Sequence, residues 1–337
     1  MMSKKVSQIA YIFFWLWIWI PWLDTVQSAE MGPLHVQHRY PLYLIFLTPE
    51  PNSPRLIEKG RFVTSLSVDY ASIYINEASN EWIALMDMEM TIVDLSLTYG
   101  FTNRVNIALA IPWISMNDGF MDSSLESYHG IFGFPNYDKE NGSVDEFGYD
   151  ISVDDDDWFD ARSGGMNLGD GVVSVKMQIT HAVSHQGLTS SLLFALKLPT
   201  GDPEHGFGSG RFDQGLLLLN QYGISPLTLY LNTGILLLSD PETQGADVHL
   251  SDMMTLLAGI EYTISDTLSL MGQFSFVTSP FHNTGIAQMD HDSLELALGF
   301  AISISDNTIF EFAFSEDLTR TAPDFTIHGA IRYKFGS

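Results

Sequence analysis

Twelve stretches of this sequence alternate apolar and polar residues with a period of two, and the connections between them alternate between tight and wide. Each stretch has the form of a strand with one dry face and one wet face. The expected strands lie near 61–76, 84–99, 103–115, 170–183, 188–198, 212–223, 226–238, 252–264, 267–277, 292–304, 308–316 and 324–335. In the tenth, Leu294, Leu296, Leu298, Phe300, Ile302 and Ile304 share one face, with Ser293, Glu295, Ala297, Gly299, Ala301 and Ser303 opposite. The second changes phase, from Met86, Met88 and Met90 to Val93, Leu95 and Leu97, which predicts a β-bulge near Ile92. The sixth, "LLLLNQYG", has no readable phase.

The first connection is read as wide ("NEASNEW"), and the next as tight ("GFTNR"). The same order then repeats to the end of the chain, with tight turns at "SHQG", Ser225, "SDT" and "SDN". A water-soluble sandwich has no need of such a rule. An outer-membrane barrel requires it, with short turns at the periplasm and longer loops outside. The polar faces carry Asp69, Asp94, Lys197, Glu261, Glu311 and other charges, more than a small dry core can hold. The apolar faces then meet lipid, and closure leaves no unpaired edge in hydrocarbon. The expectation is an all-β chain: a transmembrane antiparallel up-and-down β-barrel of about 12 strands, outer-membrane type, over residues 61–335. Its last strand, "DFTIHGAIRYKF", closes the ring, and Tyr333 and Phe335 fall where a periplasmic aromatic girdle and a barrel-assembly signal belong.

The N-terminus fits export. "MMSKK" precedes an apolar run from Ile9 to Leu23, and small residues follow at Ser28 and Ala29, so residues 1–29 read as a cleaved signal peptide. Residues 30–60 are expected to form a periplasmic segment or a plug, with "YPLYLIFL" tucked into the periplasmic end or lying along the interface. The chain has no cysteine, hence no disulfide framework and no cysteine for a lipid anchor. Its net charge of −26 excludes the basic footprint that nucleic-acid binding needs.

The loop at 117–168 is the main candidate for function, because a loop of this length usually has a role of its own. Met121, Leu125, Tyr128 and Phe132 have helical spacing, with Asp122, Glu126 and His129 beside them, and a helix there would either fold into the barrel mouth and narrow it or pack on the rim. Asp122, Glu126 and His129, with Arg104, Glu89, Lys176, Glu295 and Arg332 on the strands, are the lumen and constriction candidates. The same loop holds thirteen acids, including "DDDD" at 154–157, which lacks the spaced ligands and turn glycine of a calcium loop. Asp154, Asp156 and His291 are the positions a metal would use, without forming a recognised site. A rim hydrolase built on Asp290, His291 and Asp292 would need a second acid pair, and none is identifiable, so no catalytic residue and no cofactor are expected.

Several stretches resemble a family of bacterial outer-membrane β-barrel proteins catalogued as a domain of unknown function (3187). They are "YPLYLIFLTPEPNSPRL", "GRFVTSLSVDYAS", "LSLTYGFTNRVNIALAIP", "GFMDSSLESYHGIFGFPN", "LKLPTGD" and "GSGRFDQG". The resemblance implies a barrel in the outer membrane and supplies no reaction or ligand. The functional expectation is a channel or transport barrel for small solutes with a loop constriction. The alternative is a non-conducting barrel acting through its loops as receptor, adhesin or envelope scaffold. Expected partners are outer-membrane lipid and lipopolysaccharide, the barrel assembly machinery, and small solutes or cations.

Overall fold

The computed structural model describes residues 30–121, 147–159, 163–180 and 187–335. Its strands are β1 (Phe62–Ala78), β2 (Trp82–Thr102), β3 (Val105–Asn117), β4 (Gly148–Val153), β5 (Asp156–Asp157), β6 (Asn167–Leu168), β7 (Val172–Thr180) and β8 (Gly187–Lys197). They continue with β9 (Asp213–Ile224), β10 (Leu227–Leu237), β11 (Met253–Ser265), β12 (Leu268–Val277), β13 (Ser293–Ser305), β14 (Thr308–Asp317) and β15 (Phe325–Phe335). All except β4, β5 and β6 form one antiparallel ring of twelve strands. β15 closes it against β1, from Phe62 opposite Phe335 to Ser72 opposite Phe325. Closure pairs every wall strand on both sides, so the wall can stand in hydrocarbon without exposed backbone groups.

One end of the ring carries two-residue turns, at 103–104, 225–226, 266–267 and 306–307. Serine side chains organise two of them: Ser265 Oγ accepts the Thr267 amide and Ser305 Oγ accepts the Asn307 amide. Register shifts sit beside the turns at Thr263/Ser265 and Ser303/Ser305, the usual place for bulges at a barrel rim. The turn expected at "SHQG" falls mostly outside the described residues. The other end carries the wide loops, with one correction. β1 and β2, at 17 and 21 residues, are the longest strands and join through residues 79–81 alone. The connection read as wide is therefore the tip of a tall hairpin. β4 pairs with its β2 arm, from Trp82 opposite Val153 to Asp87 opposite Gly148.

The expected bulge near Ile92 is absent. β1 and β2 stay in one register from Phe62 opposite Tyr99 to Ala78 opposite Ile83. What changes is the environment. Near the tight-turn end Asp94 and Ser96 face inward while Leu95 and Leu97 face outward, 41% and 45% exposed. Further up, Met86, Met88, Met90 and Ile92 keep the inward parity but enter a buried apolar cluster. The apolar side thus switches from outside to inside where the hairpin enters the apolar cluster. β9 follows the same logic: Leu216 and Leu218 face out, while Leu217 and Leu219 face in and join that cluster. A strand with leucine on both faces has no phase to read.

The apolar cluster fills the wide-loop end of the ring. Trp82, Trp158 and Phe281 meet there with ring centroids 6.1–6.3 Å apart, and Phe159 stacks on Trp158 at 4.8 Å. Trp158 and Phe159 reach it from the β4–β5 hairpin. Asp154 and Asp155 form that hairpin's turn with φ of 52° and 68°. Paired positive φ values are what a two-residue hairpin turn asks for, and Asp tolerates them.

Candidate functional site

The interior of the ring is occupied by the chain's own residues 30–57. Glu30 and Arg55 form an ion pair at the tight-turn end. From Glu30 an ascending arm runs up the lumen to Tyr40. The turn at Pro41–Leu44 lies inside the apolar cluster at the wide-loop end. A descending arm, "TPEPNSPR", returns to the tight-turn end, where the Gly60 amide bonds to Gly100 and the chain enters β1. "YPLYLIFL" therefore sits inside the ring at the wide-loop end. It is apolar all round because the cluster surrounds it; Leu42, Tyr43, Ile45 and Leu47 have no exposed surface.

A buried passage without ladder partners leaves its amides and carbonyls orphaned unless side chains answer them. Here the wall does. Glu261 accepts the amides of Met31 and Gly32 at 3.0 and 3.2 Å, Glu311 that of His35 at 2.6 Å, and Asp213 that of Leu47 at 3.0 Å. In the other sense Gln273 donates to the Leu34 carbonyl, Lys197 to Ile45, Asn232 to Asn52 and Lys176 to Ser53, at 2.7–3.1 Å. Arg332 donates to the Met31 carbonyl and Ser191 to that of Pro54. Pro49, Pro51 and Pro54 further reduce the demand, since proline has no amide hydrogen.

Ion pairs bind the same segment to the wall. The Arg39 guanidinium, 3% exposed, bonds Asp69 of β1 and Asp94 of β2. Asp69 also meets His328 of β15 at 2.6 Å, and His328 lies 3.3 Å from Glu311. His35 pairs with Glu311 at 3.0 Å, and His38 pairs with Glu295. Lys197, 1% exposed, holds Asp170 at 2.6 Å and Asp213 at 3.3 Å. Asp170 also accepts the amides of Thr200, Gly201 and Ser209. This explains "LKLPTGD" and "GSGRFDQG" physically: the two stretches wrap one buried lysine–carboxylate knot. Gly201 is required because a Cβ there would lie 2.1 Å from the Phe207 carbonyl oxygen.

Two cavities border the segment among the described residues. One, of about 110 Å³, lies between the arms and the wall of β2, β3, β7 and β8. The other, of about 50 Å³, lies toward β9–β13. Both are bordered by Gln37, Thr48, Pro49 and Glu50. By the size of one water, the larger has room for several.

The site residues expected from sequence divide as follows. Lys176, Glu295 and Arg332 face the lumen and contact the segment. Arg104 does not; it is exposed in the β2–β3 turn. Glu89 points outward, where it accepts from the Tyr70 hydroxyl and from the amides of Phe120 and Met121 at 3.0 and 2.6 Å. A bulge near Ile92 would turn it into the lumen; the unbroken register leaves it on the outer face. Asp122, Glu126 and His129 lie outside the described residues. Tyr333 and Phe335 face outward at the tight-turn end, their rings 4.7 Å apart, beside the stacked pair Phe62 and Tyr99.

The metal positions are not brought together. Asp154 and Asp156 belong to the β4–β5 hairpin, and His291 is exposed ahead of β13. Asp290 and Asp292 bind the backbone of their own loop, through Thr284 and Ser279. Among the described residues the one grouping with metal-ligand spacing is Asp202, Glu204 and His205, where Asp202 already caps Glu204 and bonds His205. Sequence reasoning passed over His35, His38, Arg39 and Glu50 as site residues. The signal was present in "HVQHRY" and "PEPNSP": charged and imidazole groups in a stretch with no strand to place them on.

A closed ring of tilting-length strands, apolar outside and polar within, with tight turns at one end, is an outer-membrane-type β-barrel. The comparisons agree. The fold is similar to the COG4313 outer membrane channel from Pseudomonas putida F1, with TM-score 0.58 and 13% identity over 85% of this chain and 99% of that one. Further likenesses are to the NanC porin (TM-score 0.44, 7% identity, 82% and 100% covered) and the translocator domain of autotransporter NalP from Neisseria meningitidis (0.43, 9%, 83% and 90%). No curated protein sequence matches. The family described as "Protein of unknown function (DUF3187)" matches residues 15–335, and this chain belongs to it.

Proposed function

We propose that this protein is an outer-membrane channel for small solutes whose constriction is its own residues 30–57, seated in the lumen, together with the β4–β5 hairpin over the mouth. The observation that carries the reading is how the segment is held. The ring closes through backbone ladders that do not include it. The segment is held by side-chain hydrogen bonds and ion pairs, which can exchange for water, and by an apolar plug at one end. A part attached in that way can move while the wall stays intact. In this reading residues 1–29 direct export, Tyr333 and Phe335 serve barrel assembly, and the outward leucines meet lipid. The tight-turn end faces the periplasm, and the wide loops face the lipopolysaccharide side.

The test uses the absence of native cysteine. Leu34→Cys with Gln273→Cys places two thiols where the segment's carbonyl already meets the wall at 3.1 Å. Conductance of the refolded protein in a planar bilayer should be low with the disulfide formed and rise on reduction. Deleting residues 31–56 should raise it further. Silence in both forms and in the deletion would defeat the channel reading and favour the barrel that acts through its loops.

A further inference from the structure

We propose that Phe120, held against the outer wall by Glu89, is a lipid anchor that seats the start of the long loop among the acyl chains of lipopolysaccharide. The anchor lies on the lipid side of the wall, so it stands whether or not the lumen conducts.

Glu89 is a carboxylate on the outer face of β2, opposite Ser72 of β1 and Asn117 of β3, and only 2% exposed. An acid on the lipid side of a barrel wall is disfavoured unless donors answer it. Three do: the Tyr70 hydroxyl and the amides of Phe120 and Met121. Both amides come from the chain just past β3. To deliver them, that chain turns out of the wall and folds back over β2 and β1 instead of entering the mouth. Gly119 makes the turn with φ of 79°, and a Cβ there would lie 2.2 Å from the Glu89 carboxyl carbon. The arrangement sets the Phe120 ring on Tyr70, with centroids 5.6 Å apart. It leaves Phe120 70% exposed, more than any other large apolar side chain among the described residues.

Height along the barrel decides what covers that ring. Tyr70 lies two turns of the pattern beyond Leu66 on β1, whose first residue, Phe62, stacks on Tyr99 at the tight-turn end. From Phe62 to Tyr70 the strand spans about 26 Å, or about 20 Å along the axis at a tilt of about 40°. The apolar band of such a barrel is about 25 Å tall, so Tyr70 stands near its upper border. Between the two levels the outer face is apolar, with Leu66, Val68, Leu95 and Leu97 41–49% exposed. Tyr70 is level with Ile327 of β15, which is level with Phe314 of β14, and Phe314 stacks with Phe325 at 6.3 Å. Aromatic rings gather at both borders of a membrane-spanning band. Here a loop residue adds to the upper set. Its surface runs without a break into the apolar belt below, and this continuity selects lipid over a second protein as the occupant.

The experiment places the photoreactive residue p-benzoylphenylalanine at position 120 of the full chain in Gram-negative cells. Ultraviolet light should yield an adduct stained by antibodies to both the protein and lipopolysaccharide. The same probe at Asp247, exposed in the loop at 238–252, should yield none. Glu89→Ala should lower the adduct at position 120 several-fold in barrels that keep their heat-dependent gel shift. Gly119→Ala, which disturbs the turn and leaves the wall unaltered, should do the same. No lipopolysaccharide adduct at position 120 overturns the proposal, as does an adduct only to a second copy of this chain. A yield unmoved by both substitutions overturns the role of Glu89.

Discussion

Replacing Arg39 by glutamine tests whether the lumen segment is a separately mobile part. The substitution removes a guanidinium that is 3% exposed and bonded to two carboxylates, of which Asp69 is fully buried. Asp69 keeps only His328, and Asp94 loses its counter-ion. Breaking a buried pair by removing one partner costs about 3–5 kcal/mol. The loss falls on the seated state of the segment and not on the ring, whose twelve ladders do not involve Arg39. At about 1.4 kcal/mol per factor of ten, the ratio of seated to released segment should fall by roughly two to three and a half powers of ten. Hydrogen exchange resolved by peptide reads this directly. Amides at 31, 32, 35 and 47, which bond to wall carboxylates, should exchange faster by up to that factor, while β9–β13 should hold their protection. Arg39→Gln with Asp69→Asn and Asp94→Asn removes the stranded charges and should restore most of the protection. Two results would refute the reasoning: segment amides that do not accelerate, or wall and segment amides that accelerate alike, which would mean that they unfold as one unit.

Leu231, 44% exposed near the middle of β10, should meet lipid, so Leu231→Arg is expected to destabilise the barrel in bilayers by about 2–4 kcal/mol, read from urea titration in vesicles. Gly100→Ala would place a Cβ 2.1 Å from the Glu58 carbonyl oxygen where the segment leaves the lumen. A loss of about 1–3 kcal/mol is expected, visible as a lower temperature of the folded-to-unfolded gel shift. In the exposed loop at 238–252, Asp240 accepts the Leu250 amide at 2.8 Å and pairs with His249 at 2.9 Å. His249 is raised by its bond to Asp240 and by Asp247, so its contribution is complete below pH 6.5 and is lost as pH rises through the raised value. Asp240 is lowered by the Leu250 amide and then by His249, so its contribution is present above 3.8 and is lost as pH falls through the lowered value. Exchange at Leu250, corrected for its intrinsic pH dependence, should be slowest between those limits, and His249→Ala should abolish the upper limit while the lower one, set by Asp240, remains.

The twelve wall strands were legible within about three residues of their observed ends, because period-two patterning is local and each strand in a closed wall repeats the same inside–outside rule. Closure could also be read, since lipid tolerates no open edge. The errors share one cause. Met86–Ile92, Leu217 and Leu219 broke the rule because the lumen is not uniformly wet, and what dries its upper half is residues 40–47 together with Trp158 and Phe281, none of them neighbours in sequence. A change of medium along one strand looked like a bulge, and it carried Glu89 to the wrong face. The lumen site was the least legible part. "HVQHRYPLYLIFLTPEPNSPR" has no period of its own, since the wall residues that answer its amides and carbonyls lie 123 to 276 positions away. Patterning along the chain determined the wall, and three-dimensional closure alone decided what fills it, because hydrogen bonds that replace a ladder leave no periodic mark on the sequence they hold.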